Sequence, residues 1–298
     1  MVQVESRQGV WVAAVVGVHG IAQQQSGPAR QEKQWTEAFQ RGLRHALCPE
    51  HQIPTLSVPF YGHLFRKGSP YLDGLSSPNF ELVQEEQDWD DDEIAFVADA
   101  LAELTPDVPQ AEMNVFPSAS PTLGPPGLIP PPLLRGLAAI DRRWGTGRGL
   151  LLIGVLRQVN AYLFVPGAGE QIRQIVTDKV GDDTRVLVGH SLGSVIVYDV
   201  LARGGAPHVQ ALVTLGSPLP LATVRSALPP RAASVVVPGD DLLWFNVHDP
   251  WDVVTAGYGL KPDADDIRVG NRRSDPHALS EYLGRKETGE AILEGVAG

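Results

Sequence analysis

The sequence predicts an α/β fold, in which helices cover both faces of a mostly parallel central sheet. Short runs of β-branched and other apolar residues alternate along the chain with segments of helical periodicity. These runs lack the alternation of half-exposed strands and match strands that are buried on both faces. With 298 residues and 43% hydrophobic content, the chain can bury one complete core, so we expect a single domain over residues 1–298.

Six segments are predicted to be strands. The first is residues 10–18, which leads into His19 and Gly20. The second is residues 53–61, which we place at a sheet edge because Pro54 and Pro59 cannot donate backbone hydrogen bonds. The remaining predicted strands are residues 184–189, 209–215, 242–247 and 267–269.

Helices are predicted between these strands from apolar residues at helical spacing. An acidic run at residues 85–93 suits the positive N-terminal end of one of them, at residues 94–104. The others are predicted at residues 35–47, 133–140, 150–164 and 191–202, and around residues 277–283.

The middle of the chain differs from both ends. Residues 117–127 and Pro130, Pro131 and Pro132 form a proline-rich stretch, which we predict to be an extended loop. We interpret residues 66–166 as an inserted helical, proline-rich cap over the strand ends. The alternative is that this segment forms ordinary surface helices joined by a loop.

Composition excludes several classes of protein. The net charge of −11 argues against a nucleic-acid partner and against electrostatic docking on an anionic membrane. The apolar run at residues 10–18 is too short to span a bilayer, so no stable membrane insertion is expected. Cys48 is the only cysteine and cannot form an intrachain disulfide, and we expect a cytoplasmic protein.

The most informative motif is Gly189-His190-Ser191-Leu192-Gly193, between a predicted strand and a predicted helix. A tight strand-to-helix turn exposes a serine oxygen and directs the following N–H groups at a reacting carbonyl. Such a turn is crowded, so we expect Gly189 and Gly193 where a Cβ would clash. The motif predicts Ser191 as a nucleophile, with His190 in a steric role.

In this context the run Gly-His-Ser-Leu-Gly-Ser at residues 189–194 resembles the α/β-hydrolase superfamily, in particular its lipase-like and esterase-like members. The resemblance extends over residues 10–283, apart from the proline-rich middle. It implies a catalytic triad in the chain order serine, acid, histidine, with the acid and the histidine after later strands.

The later strands offer candidates for both partners. Asp249 and Asp252 follow the strand at residues 242–247. Asp252 precedes Val253-Val254 and so resembles the acid of lipase-like proteins, whereas Asp249 lies nearer the strand end and stays the alternative. The aspartate that is not the acid is expected to cap the turn. His277, between a proline and the first turn of a predicted helix, is expected to be an exposed and fixed general base.

His19-Gly20 resembles the oxyanion segment of lipase-like hydrolases. The resemblance implies that the backbone N–H groups of Ile21 and Leu192 stabilise the negative charge that develops on the substrate oxygen. The alternative is that Gly20 serves only the turn.

These features predict a serine hydrolase that cleaves a carboxylic ester or thioester of a small-molecule acyl substrate through an acyl-enzyme on Ser191. An acyltransferase or an amidase or peptidase would use the same triad. A catalytically silent α/β-hydrolase that acts as a binding module is the alternative from another class. No cofactor or metal is expected, because no His, Cys and Asp cluster has the spacing of metal ligands.

Overall fold

A computed structural model describes residues 14–20, 27–65, 89–106, 129–229 and 242–298, and every structural statement below concerns these residues. They contain a six-stranded sheet of spatial order β2-β1-β3-β4-β5-β6, in which every neighbouring pair is parallel. The strands are β1 (Ala14–Val18), β2 (Thr55–Ser57), β3 (Thr184–His190), β4 (Ala211–Leu215), β5 (Leu243–His248) and β6 (Asp265–Arg268). The predicted parallel α/β architecture is therefore confirmed.

Helices separate the strands along the chain. They are α1 (Gly27–His45), α2 (Asp91–Leu104), α3 (Pro131–Trp144), α4 (Arg148–Phe164), α5 (Ala168–Thr177), α6 (Leu192–Ala202), α7 (Ala222–Arg225), α8 (Leu279–Leu283) and α9 (Lys286–Ala297). No single helix in the described ranges is long and apolar enough to cross a membrane, and α4 and α5 reach that length only as a pair bent by 91°.

Alternate strand residues face two separate hydrophobic clusters, as the period of two in a β-strand requires. Val15 packs with Trp35 and Phe39 of α1 and with residues of α8 and α9 on one face of the sheet. Val16 belongs to the cluster on the other face, with residues of α2, α3, α4, α5 and α6. Both faces of the sheet are therefore covered, which explains the continuous apolar runs of the strands.

The helical layer on the second face is joined by buried charges. Asp199 of α6 accepts hydrogen bonds from the Tyr162 hydroxyl (2.7 Å), from Arg173 (2.9 Å) and from Arg203 (2.8 Å). Arg157 of α4 donates to Glu93 of α2 at 2.7 Å. These contacts link α2, α4 and α5 to α6, the helix that lies on the sheet, so the four helices are parts of one packed layer.

The interval of residues 66–166 contains α2, α3 and α4, while residues 66–88 and 107–128 lie outside the described ranges. Helix α4 packs against α6 and the turn Val253–Thr255 and contributes most of its residues to the core. The interpretation of the whole interval as a cap stays a prediction.

Two details of the sequence prediction need correction. Pro131 and Pro132 were expected in a loop, but they form the first turn of α3. Proline is accepted there because the first N–H groups of a helix have no intrahelical partner. Helices α5, α7 and α9 were not predicted.

The edge strand also differs from its prediction in length. Strand β2 is at the sheet edge as expected, but it is limited to Thr55–Ser57, between Pro54 and Pro59.

The parallel arrangement places the carboxyl ends of all six strands at the same edge of the sheet. The segments that follow β1, β3, β4, β5 and β6 therefore meet there, and they include His19, Ser191, Asp252 and His277.

Candidate active site

Ser191 is the single residue between β3 and α6. Its backbone has φ 55° and ψ −126°, a region that residues with a side chain rarely occupy. The N–H of Ser191 donates to the carbonyl of Leu215 in β4 at 3.0 Å. This strained turn is therefore anchored to the neighbouring strand, and it holds Ser191 at the carboxyl edge of the sheet.

The two glycines of the motif are required by close backbone contacts. A Cβ on Gly193 would lie 2.0 Å from the carbonyl oxygen of Val18, and a Cβ on Gly189 would lie 2.5 Å from Cα of Ser194. Both distances are far below van der Waals contact, so the expected clash at these positions is confirmed. The turn is possible only because β1, β3 and α6 approach each other without side chains there.

Two further serines support the turn. The Ser194 hydroxyl donates to the carbonyl of Ser191 at 2.5 Å, and the hydroxyls of Ser194 and Ser217 are hydrogen bonded at 2.7 Å. All three residues are fully buried. Ser217 follows β4 and had no recognisable signal in the sequence.

His277 lies between Ser191 and Asp252. Its Nε2 is 3.0 Å from the Ser191 hydroxyl oxygen, and its Nδ1 is 2.7 Å from Oδ2 of Asp252. An ionised carboxylate only accepts, so Nδ1 donates to Asp252, which leaves Nε2 free to accept the serine proton. Both distances are within the range for proton transfer. His277 was expected to be exposed, but it is 6% exposed, because the site lies beneath packed segments.

The structure distinguishes the two candidate aspartates by their contacts. Asp252 is fully buried, and its Oδ1 accepts from the N–H of Val254 at 3.0 Å. Its Oδ2 accepts from His277 and also from the Tyr282 hydroxyl, the latter at 2.9 Å. Asp252 is therefore the aspartate that orients His277.

Asp249 has a different set of partners. Its Oδ1 accepts from the N–H of Trp251 at 2.8 Å, and its Oδ2 accepts from the N–H of Asn271 at 2.5 Å. The Asn271 side chain in turn donates to the carbonyl of Pro276 at 2.8 Å. Asp249 thus caps its own turn and also ties the loop after β5 to the loop that carries His277.

His190 contacts the backbone of His277. Its Nε2 donates to the carbonyl of His277 at 2.9 Å, and the two rings lie 4.9 Å apart. Burial lowers the pKa of His190 to about 3, and the nearby His277 acts in the same direction. His190 is therefore neutral near pH 7 and holds the backbone of His277, a contact that sequence reasoning did not identify.

The segment His19-Gly20 lies against Ser191. A Cβ on Gly20 would lie 2.5 Å from Cβ of Ser191, so no other residue fits there without displacement. His19 Nδ1 donates to the carbonyl of Gly20 at 2.8 Å, and the ring of Tyr61 stacks on the His19 ring at 3.9 Å. Burial lowers the pKa of His19 to about 4. These contacts hold the end of β1 against Ser191.

Of the two residues expected to donate to an oxyanion, Leu192 lies at a helix start. Leu192 begins α6, where the first N–H groups of a helix lack intrahelical partners and are available to an anion. Ile21 lies outside the described residues.

Gly216, directly after β4, lies against Asp252 and His277. Its φ is +53°, and a Cβ would lie 3.0 Å from Oδ2 of Asp252 and 3.2 Å from Nδ1 of His277. A side chain at this position would crowd the hydrogen bond between Asp252 and His277. The sequence indicated only that a strand ends here.

The arrangement can lower the barrier to attack by a serine oxygen, since a base and an orienting acid follow the serine in a chain of hydrogen bonds. Ser191, Asp252 and His277 come from three separate segments after β3, β5 and β6, and the described structure brings all three together. Comparison with protein-family models, with curated protein sequences and with solved structures found no match to this chain.

Proposed function

We propose that this protein is a serine hydrolase of the α/β-hydrolase type that cleaves a carboxylic ester or thioester. The observation that carries the proposal is the hydrogen-bond chain from Asp252 through His277 to Ser191, with distances of 2.7 and 3.0 Å. Ser191 is buried, has a positive φ and is hydrogen bonded to an imidazole. A role as an activated nucleophile explains why a strained serine is held in this position.

In the first half of the proposed reaction, His277 takes the proton of the Ser191 hydroxyl as the oxygen attacks the acyl carbonyl. Asp252 stabilises the imidazolium that forms and holds the ring in one tautomer. The tetrahedral intermediate collapses when His277 returns the proton to the leaving alcohol or thiol, and the acyl group stays on Ser191.

In the second half, His277 removes a proton from water, which attacks the acyl-enzyme. Collapse of the second tetrahedral intermediate releases the carboxylic acid, and the proton returns from His277 to Ser191. One water is consumed, and no redox change occurs.

The oxyanion of each intermediate would be stabilised by backbone N–H groups. Leu192, the first residue of α6, supplies one donor in this proposal, and Ile21 supplies the other by resemblance to lipase-like hydrolases. Each such donor contributes roughly 3 kcal/mol of transition-state stabilisation in enzymes of this kind. In the same proposal, residues 66–166 form a cap beside the substrate.

The experiment that tests the proposal is labelling with a fluorophosphonate, which phosphonylates an activated serine. The wild-type protein is expected to form one adduct on Ser191, and Ser191→Ala is expected to form none. Ser226→Ala removes an exposed serine just after α7 and is the matched control, which should label as the wild type does. Absence of an adduct on the folded wild-type protein, or full labelling of Ser191→Ala, would contradict the proposal.

Hydrolysis of nitrophenyl esters of graded acyl length then tests turnover. We expect a maximum at one acyl length, and a loss of at least about a thousandfold in kcat/KM in both Ser191→Ala and His277→Ala. His51→Ala changes an exposed histidine and should keep the wild-type rate. Unchanged hydrolysis in His277→Ala would exclude it as the base.

A further inference from the structure

Tyr282 makes two hydrogen bonds that link the candidate acid to the turn before it. It lies in α8, five residues after His277, and its side chain is fully buried. Its hydroxyl donates to Oδ2 of Asp252 at 2.9 Å and accepts from the N–H of Asp249 at 3.1 Å. One hydroxyl therefore joins a side-chain carboxylate to the backbone at the end of β5.

The phenol is held in its protonated form. Burial raises the pKa of Tyr282 well above its usual value, and the negative charge of Asp252 adds to this shift. The hydroxyl therefore stays protonated near neutral pH and remains a hydrogen-bond donor to Asp252.

Tyr282 and His277 share one oxygen of the acid. Oδ2 of Asp252 accepts from both side chains, while Oδ1 accepts from the N–H of Val254 at 3.0 Å. Three donors from different directions therefore fix the orientation of the carboxylate. Without the phenol, the oxygen that faces His277 would be held by the imidazole alone.

We propose that Tyr282 is a positioning residue for the pair formed by Asp252 and His277. This inference rests on the proposed function. Tyr282 orients Oδ2 towards Nδ1 of His277, and through the N–H of Asp249 it couples that orientation to the turn that follows β5. It touches neither the reacting serine oxygen nor the proposed substrate carbonyl, and it acts only through Asp252.

The test removes the single hydroxyl with Tyr282→Phe. The matched control is Tyr162→Phe, because Tyr162 is also a buried phenol that donates to a carboxylate, Asp199, at 2.7 Å within the helical layer. Each variant removes a hydroxyl that donates to a carboxylate and accepts from a second group, so both should unfold at a lower temperature than the wild type. Tyr282→Phe alone is expected to lower kcat, by roughly tenfold, with KM unchanged.

A proton NMR measurement gives a readout that does not depend on turnover. The Nδ1 proton of His277, shared with Asp252, should give a strongly deshielded resonance in water. This resonance is expected to shift or broaden in Tyr282→Phe and to stay unchanged in Tyr162→Phe. A wild-type kcat together with an unmoved resonance in Tyr282→Phe would overturn the inference.

If Tyr282→Phe does not fold, 3-fluorotyrosine at position 282 keeps the shape and makes the hydroxyl a stronger donor. The inference then requires a shift of the same His277 resonance, and an identical resonance would overturn it. A wild-type protein that shows neither labelling nor hydrolysis would contradict the proposed function, whereas the resonance would still decide whether Tyr282 positions the pair.

Discussion

The turn around Ser191 and the loops that carry Asp252 and His277 meet at one edge of the sheet, but they are held by different forces. The turn is one continuous segment, and its shape follows from backbone contacts that exclude any Cβ on Gly189 and Gly193. The loops are separate segments, and their relative position depends on hydrogen bonds between side chains and backbone.

This difference predicts two kinds of failure. A substitution that crowds the turn should strongly destabilise the fold, because the strands and helix cannot move apart without loss of core packing. A substitution in the loops should leave a folded protein in which one contact is lost. Substitutions of the two aspartates in the loop after β5 are therefore expected to differ. The change at Asp252 affects the orientation of His277, and the change at Asp249 affects the stability of the protein.

The largest effect is expected from Asp252→Asn. The Asn oxygen takes the place of Oδ1, where it still accepts from the N–H of Val254. The NH2 group takes the place of Oδ2 and donates to Nδ1 of His277, which drives the ring into the wrong tautomer. We expect kcat to fall by about 10⁴-fold in ester hydrolysis, as it does when the acid of such a triad is replaced by its amide. A kcat within tenfold of the wild type would show that Asp252 is not the acid.

The next effect is on folding, from Gly193→Ala. A Cβ at 2.0 Å from the carbonyl oxygen of Val18 cannot be accommodated, because the contact is with backbone. We expect a loss of at least about 4 kcal/mol in the free energy of unfolding, measured in denaturant. Gly270→Ala in the loop before His277 is the control, since nothing lies within 4 Å of its Cβ position. Equal losses in the two variants would refute the steric explanation.

A smaller loss is expected from Asp249→Asn. Its carboxylate accepts two N–H groups, from Trp251 and Asn271, and an amide can accept only one of them. The orphaned donor should cost about 2 kcal/mol of unfolding free energy.

The kcat of Asp249→Asn should stay within about tenfold of the wild-type value, whereas the kcat of Asp252→Asn should fall much further. An equal loss of activity in Asp249→Asn and Asp252→Asn would contradict this prediction. It would show that the contacts of Asp249 also orient His277.

The smallest effect concerns pH and the two buried histidines beside Ser191. Burial lowers the pKa of His19 to about 4 and that of His190 to about 3, from an ordinary value of 6.5. As the pH falls below 6.5, the unfolded chain binds protons that the folded chain excludes, so stability falls. Between pH 6.5 and 5.5 each histidine should remove about 1 kcal/mol of unfolding free energy.

Denaturant unfolding at several pH values measures this loss. His190→Gln, which keeps a side-chain donor, should show a weaker pH dependence than the wild type. His51→Gln changes an exposed histidine and should show the wild-type dependence. An identical pH dependence in all three proteins would contradict the assignment of His190 as a buried neutral donor.

Most of the sheet could be predicted from the sequence because parallel strands that are buried on both faces appear as continuous apolar segments. All six predicted strands correspond to strands in the described residues. Helix α9 was missed because Gly289 and Gly295 lower its helix propensity. A Cβ at Gly289 would lie 2.4 Å from the carbonyl oxygen of Gly42, and this close packing on α1 is visible only in the fold.

By itself, the sequence determined the turn around Ser191, together with strand β3 and helix α6 on either side of it. These features are local, since the glycines, the serine and the flanking apolar runs are neighbours in the chain. Only the tertiary structure decided that Asp252 and not Asp249 contacts His277, and that His190 and Tyr282 support the pair. Those contacts join residues 25 to 87 positions apart, and their geometry depends on how the loops pack at the edge of the sheet.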